Sequence, residues 1–174
     1  MQTPDQPLAP WTAPPADEAV AVPIVDAAIA IVVRPAPAPQ IGAVVVLVCQ
    51  RKDDDTLGGY WEFPGGKCED GETMEQCLAR ELREEIDVVA TPLRRLSVIE
   101  HEYPDVIVRL HPFVCRHEHG EPRLLECQAA RWITPTELRS YRFPPANEQL
   151  IEDVIALLSA STGGPTVDFS AAVD

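Results

Sequence analysis

The stretch Gly65–Val88, GGKCEDGETMEQCLARELREEIDV, restricts the possible folds of this chain more than any other. Met74, Leu78, Leu82 and Ile86 recur at four-residue steps, which places them on one ridge of a helix. The spacing predicts a helix over Thr73–Ile86 that must lay this ridge on an apolar partner. Glu81, Glu84 and Glu85 stand at i, i+3 and i+4, so three carboxylates share an arc of about 100° beside the ridge. Like charges held so close repel one another, and a hard divalent cation with oxygen ligands relieves that repulsion. The alternative is a solvated face in which Arg80 and Arg83 pair with the glutamates.

The apolar partner is legible in the flanking runs. Ile24–Val33 and Ala43–Cys49 are rich in β-branched residues and flank a Pro-containing turn, the pattern of paired strands. Tyr60–Gly66 (YWEFPGG) reads as an extended segment closing in a turn. Leu93–Glu102, Val106–Cys115 and Ala130–Ile133 are further strand candidates. A final helix over Glu148–Ser159 gathers Leu150, Ile151, Val154, Ile155, Leu157 and Leu158 on one broad face. Strands then helix, repeated, predicts an α/β fold with a mixed sheet between helices. Nine of the 18 prolines fall in residues 1–40, and residues 1–23 lack any sustained period. They read as a flexible Pro-rich extension, a possible docking segment for an unidentified protein, ahead of a domain over 24–160. Residues 161–174 read as a disordered tail.

Charge narrows the ligand. Fourteen Lys and Arg against 28 Asp and Glu give a net charge of -14. Such a surface repels duplex nucleic acid and polyphosphates unless a cation intervenes. No apolar run reaches the roughly 20 residues that span a bilayer, and the first 33 residues carry no Lys or Arg. The expectation is a cytoplasmic protein without a membrane partner. The five cysteines, Cys49, Cys68, Cys77, Cys115 and Cys127, are odd in number and never spaced C-x-x-C. They are expected to be reduced thiols rather than a disulfide framework or zinc site. His117 and His119 precede Gly120 and read as part of an exposed hairpin.

Gly66, five residues, Glu72, seven residues, then Arg80-Glu81-Leu82-Arg83-Glu84-Glu85-Ile86-Asp87-Val88 resembles the Nudix box, G-x5-E-x7-R-E-U-x-E-E-x-G-U with U aliphatic. Asp87 stands where the box has Gly, a position that closes the helix in a left-handed conformation that Asp tolerates. Trp61–Lys67, Glu126-x-Gln128 with Trp132, and Phe143–Glu148 are similar to stretches of the MutT-like branch of the Nudix hydrolase superfamily. The resemblance runs from about Ile24 to Leu158 and implies a Nudix α/β/α sandwich.

It further implies Mg²⁺, with Mn²⁺ able to substitute, bound by Glu81, Glu84 and Glu85 with the Gly65 carbonyl and Glu126. Arg80 would hold the helix carboxylates by charge-assisted hydrogen bonds. The implied reaction is hydrolysis of a nucleoside triphosphate at the β-phosphorus, with Glu81 or Glu126 as the general base. The implied substrate is 8-oxo-dGTP, and the role is sanitation of the nucleotide pool, hence DNA repair. Arg51, Phe63 and Asn147 align with base-pocket residues, and Lys67 is placed to touch phosphate. Without the resemblance, Arg51 is a strand-end charge, Phe63 a core aromatic, Lys67 a surface lysine and Asn147 a helix N-cap. Val106 occupies the place of a pocket Arg in that branch. CTP, dCTP or broad nucleotide pyrophosphohydrolysis is the alternative. A non-catalytic Nudix-fold binding module is a different class, and it typically lacks box carboxylates that are all present here. Monomer and homodimer are both compatible with the sequence.

Overall fold

The computed structural model describes residues 22–38 and 43–159. The readings of an N-terminal extension and a C-terminal tail therefore fall almost wholly outside the described residues.

Eight strands form one mixed sheet: β1 (Ile24–Pro35), β2 (Val44–Arg51), β3 (Trp61–Glu62), β4 (Gly65–Lys67), β5 (Val89–Arg95), β6 (Ile99–Tyr103), β7 (Val106–His119) and β8 (Cys127–Ile133). Strands β3-β2-β1-β7-β5 run side by side, while β4 pairs with β1, β6 with β7 and β8 with β2. Among the described strands only β1 and β7 pair in parallel, from Ile24↔Ile107 to Val33↔Arg116. Ala27–Val33 is buried without interruption, as expected of a central strand covered on both faces. Its alternate residues divide the core. Ala28, Ala30 and Val32 pack with helix α1 (Met74–Ile86), whereas Ala27, Ile29, Ile31 and Val33 pack with helix α2 (Glu148–Ser159). The result is the expected α/β/α sandwich. No helix among the described residues is long and apolar enough to cross a membrane.

Helix α1 begins where Thr73 Oγ1 accepts from the Gln76 N–H and Gln76 Oε1 accepts from the Thr73 N–H, a reciprocal capping box. Leu78, Leu82 and Ile86 are buried under it, each removal from water stabilising by roughly 1.5–3 kcal/mol. Asp87 ends the helix at φ 53°, ψ 42°, its N–H reaching the Arg83 carbonyl and its carboxylate accepting from Arg123 at 3.0 Å. Asp thus does the terminating work of the box glycine.

One strand reading is corrected. Leu93–Glu102 is not continuous: β5 ends at Arg95 and β6 resumes at Ile99. Both pair with β7, on either side of His111-Pro112, where Arg95 lies opposite Phe113 and Ile99 opposite Leu110. Pro112 has no N–H to continue the ladder, and only its carbonyl is used, by the Leu96 N–H at 2.8 Å.

Candidate active site

The turn Pro64-Gly65-Gly66 lies against α1 because nothing larger fits. Gly65 adopts φ +139°, and a Cβ there would stand 2.2 Å from the Ala28 carbonyl oxygen. A Cβ on Gly66 would stand 2.5 Å from the Glu81 carboxylate. The Gly65 N–H donates to Glu85 Oε2 at 3.0 Å, and the Gly66 carbonyl accepts from Cys77 Sγ at 3.5 Å.

Arg80 organises the carboxylates. Its Nε and Nη2 donate to the two oxygens of Glu72 at 2.8 and 2.9 Å, a bidentate pair. Its Nη1 donates to Glu81 at 2.7 Å and to Glu84 at 3.1 Å, and its Nη2 to the Lys67 carbonyl at 3.1 Å. One guanidinium therefore joins the β4 backbone to three glutamates. Glu81 is largely enclosed, its side chain 13% exposed, while Glu84 is open at 53%.

These environments separate the protonation states. Arg80 holds the Glu72 carboxyl down at about 2. Burial pushes Glu85 up to about 8, against the Gly65 N–H that favours its anion and with help from nearby Glu62 and Glu81. Burial also raises Glu81, and Glu84 and Glu126 add to the rise. Glu126 belongs to the same neighbourhood, since its N–H donates to the Glu85 carbonyl at 3.1 Å just before β8. The structure thus brings together Gly65, Arg80, Glu81, Glu84, Glu85 and Glu126. The donors are all oxygens and their charges oppose one another, which is chemistry suited to Mg²⁺ or Mn²⁺. Among the described residues no three acidic, His or Cys side chains form a closed ligand shell. Glu81 and Glu84 are turned to Arg80, and Glu85 to Gly65.

A cavity of about 610 Å³ opens beside the turn, sharing Gly65 and Gly66 with the carboxylate cluster. Ala27, Ile29, Phe63, Tyr103, Val106, Val108 and Leu110 make its walls mostly apolar, with Pro144, Ala146 and Asn147 at one side. Phe63 is buried and packs on Phe143 at 5.4 Å between ring centres. Arg51 is present, but Nη1 donates to Glu62 at 2.8 Å and Nε to the Thr56 carbonyl at 2.8 Å, so its charge is already answered. Asn147 ends the 3-10 turn ahead of α2 and is buried. Among the described residues none hydrogen-bonds its amide, which borders the cavity. Lys67 is exposed at the end of β4.

Sequence reasoning missed Glu62, Leu57, Tyr103, Val108 and Leu110 as cavity residues. Glu62, Tyr103, Val108 and Leu110 carry only strand alternation, which cannot tell a cavity wall from core, and Leu57 lies in the turn between β2 and β3 with no periodic signal. His117 and His119 form no metal pair: His117 Nε2 contacts the Gly120 carbonyl at 2.7 Å and its ring meets Trp132. All five cysteines are free thiols.

The chain is similar to known nucleotide hydrolases. The chain is 36% identical to CTP pyrophosphohydrolase of Escherichia coli over 66% of its own length and 85% of that protein. It is also 36% identical to 8-oxo-dGTP diphosphatase of Escherichia coli, over 61% of this chain and 82% of that one. The solution structure of the Escherichia coli ORF135 protein superposes with a TM-score of 0.68 at 32% identity, covering 82% of this chain and 96% of that chain. A MutT structure from a study of Aliivibrio salmonicida and Vibrio cholerae gives 0.60 at 30% identity, covering 76% and 98%. The profile of the NUDIX domain matches residues 42–153, and the chain belongs to the Nudix family, as a MutT-like hydrolase.

Proposed function

We propose that this protein hydrolyses a nucleoside triphosphate to the monophosphate and pyrophosphate, with 8-oxo-dGTP the preferred substrate. The observation that carries the base assignment is Asn147, a buried residue at the edge of an apolar cavity whose amide no described residue hydrogen-bonds. Oxidation converts guanine N7 from an acceptor to an N–H donor beside the O6 acceptor, and one amide matches that pair with its own acceptor and donor. Ordinary guanine would set its N7 lone pair against the amide oxygen, at a cost of about 1–3 kcal/mol. The apolar walls supply the area on which a flat base stacks.

Catalysis is assigned to the adjoining carboxylates. Glu81, Glu84, Glu85, Glu126 and the Gly65 carbonyl are the oxygens that would hold Mg²⁺ or Mn²⁺. Such a cation supplies charge neutralisation of the triphosphate and a water made acidic enough to attack. Glu81 is the proposed proton acceptor, because burial lifts its basicity above that of an ordinary carboxylate while Arg80 fixes one oxygen. Water oxygen bonds to the β-phosphorus, the bond from that phosphorus to the α–β bridging oxygen breaks, and the monophosphate leaves with that oxygen. The water proton passes to Glu81. Exposed Lys67, beside the turn, is the proposed partner of a phosphate oxygen.

A second reading is cytidine nucleotides. It is favoured by Val106 on the cavity wall and by the Arg51–Glu62 pair, which leave Asn147 with little polar company for recognising a purine. The test is kcat/KM with Mg²⁺ for 8-oxo-dGTP, dGTP, CTP and dCTP, scored by pyrophosphate release, with Glu84→Gln as the blank. A preference for 8-oxo-dGTP that the blank abolishes is expected. A preference for CTP or dCTP would transfer the base assignment to cytidine and leave the hydrolytic assignment intact.

A further inference from the structure

A second cavity, of about 550 Å³, lies at the side of β3 away from the carboxylates. Gln50, Gly59, Trp61, Arg131, Glu137, Ser140, Tyr141 and Arg142 line it. Two cations converge there in a chain of net charge -14. Most other arginines are spent on carboxylates: Arg34, Arg51, Arg80, Arg109, Arg116, Arg123 and Arg139 each have one within 3.4 Å. Among the described residues, Arg131 and Arg142 have none.

Both are held by aromatic faces instead. The Arg142 guanidinium carbon stands 4.1 Å from the centre of the Tyr60 ring, and that of Arg131 stands 5.2 Å from the Trp61 ring. Stacking fixes the plane of a guanidinium and leaves its N–H edge open to an oxyanion. The frame is set by neighbours. Trp61 meets Tyr141 edge to face at 4.8 Å, and the Trp61 backbone N–H donates to the Arg142 carbonyl at 2.8 Å. Arg131 Nη1 reaches the Tyr141 hydroxyl at 3.4 Å, and Ser140 also lines the cavity. Glu137 is the one acid in the lining, and its carboxylate accepts from both the N–H and the hydroxyl of Thr134 at 2.7 Å, turned back on its own 3-10 turn. The lining is therefore net positive.

We propose that this cavity is a second anion site, which takes a phosphate-class oxyanion independently of any metal. Two guanidinium groups without a carboxylate partner among the described residues suit a doubly charged anion, and phosphate oxyanions are what a Nudix hydrolase handles. The carboxylate cluster cannot attract a metal-free anion, so chelation isolates the second site.

The experiment is isothermal titration calorimetry of the full chain in EDTA, with inorganic pyrophosphate as the probe and AMP in a second arm. Saturable pyrophosphate binding is expected, unchanged in Glu84→Gln and weakened at least tenfold in Arg131→Gln/Arg142→Gln. Raising salt from 50 to 200 mM should also weaken it. Tighter binding of AMP than of pyrophosphate would assign the site to a nucleotide phosphate, and weaker binding to the free anion. Should the double variant unfold, Arg142→Gln alone, which loses only a surface stack on Tyr60, is expected to weaken binding at least threefold. No binding at millimolar probe, or equal affinity in folded variants, would overturn the proposal.

Discussion

The two halves of the candidate site are built on opposite plans. On α1, Arg80 ties Glu72, Glu81 and Glu84 into one network, and Glu85 is fixed to the Gly65 N–H. Across the Gly65-Gly66 turn, the cavity is mostly apolar and is bordered by the Asn147 amide, which no described residue hydrogen-bonds. Dense satisfaction fixes geometry before substrate arrives, which is what positioning a water and a triphosphate needs. A polar group left without a described protein partner at the edge of an apolar cavity is open to a ligand, and a ligand with the matching donor and acceptor gains where a mismatched one loses. Chemistry and selectivity are thus separable, and mutations should separate them.

The largest effect is expected on the networked side. Glu81→Gln should lower kcat by about 10²–10⁴-fold for every nucleotide alike, with the ratio of 8-oxo-dGTP to dGTP unchanged. Steady-state kinetics on both substrates checks this, and retained activity would pass the base role to Glu126. Gly66→Ala comes next, because its Cβ would land on the Glu81 carboxylate. A displacement of about 1 Å there should cost about 10²-fold in kcat while the fold survives, as read by circular dichroism.

Metal-free stability should respond to pH with a definite sign. Glu85 sits at about 8 in the folded chain against 4.5 when unperturbed, so the folded state keeps its proton longer. Its contribution is complete below pH 4.5 and is lost as pH rises through 8. In EDTA, Tm should therefore fall between pH 5 and 8, and Glu85→Gln should flatten the fall. The Tm gain from added Mg²⁺ should grow over the same interval, since protons and the cation compete for the same carboxylates. The smallest effect belongs to Asp87→Gly. Gly suits φ 53° better, but the exposed Arg123 contact is lost, so chemical denaturation should register a change within about 1 kcal/mol.

The same division governs what the sequence revealed. Helix α1 was legible because a single periodic segment carries both its buried ridge and its carboxylates, so spacing alone placed Glu81, Glu84 and Glu85 on one side. The reason for Gly65 and Gly66 was not, because the atoms that exclude a Cβ belong to Ala28 and Glu81 on other elements. The cavity was the least legible part. Its walls come from β1, β6, β7, the loop at Leu57 and the turn before α2, and the strands among them are brought together by the pairing of β1 and β6 with β7. Arg51 does border the cavity, yet its charge is consumed by Glu62, a contact between strands that no local pattern records. The break between β5 and β6 was hidden for a similar reason, since Pro112, which causes it, lies on the partner strand.

The most direct test of the central claim compares kcat/KM for 8-oxo-dGTP and dGTP, with Mg²⁺, in the wild-type enzyme and in Asn147→Ala. Loss of the matched amide should cut the preference for 8-oxo-dGTP by roughly 5–150-fold, the equivalent of about 1–3 kcal/mol, while leaving kcat/KM for dGTP nearly unchanged. An unaltered preference in a folded, active Asn147→Ala enzyme would contradict the assignment of base reading to this residue.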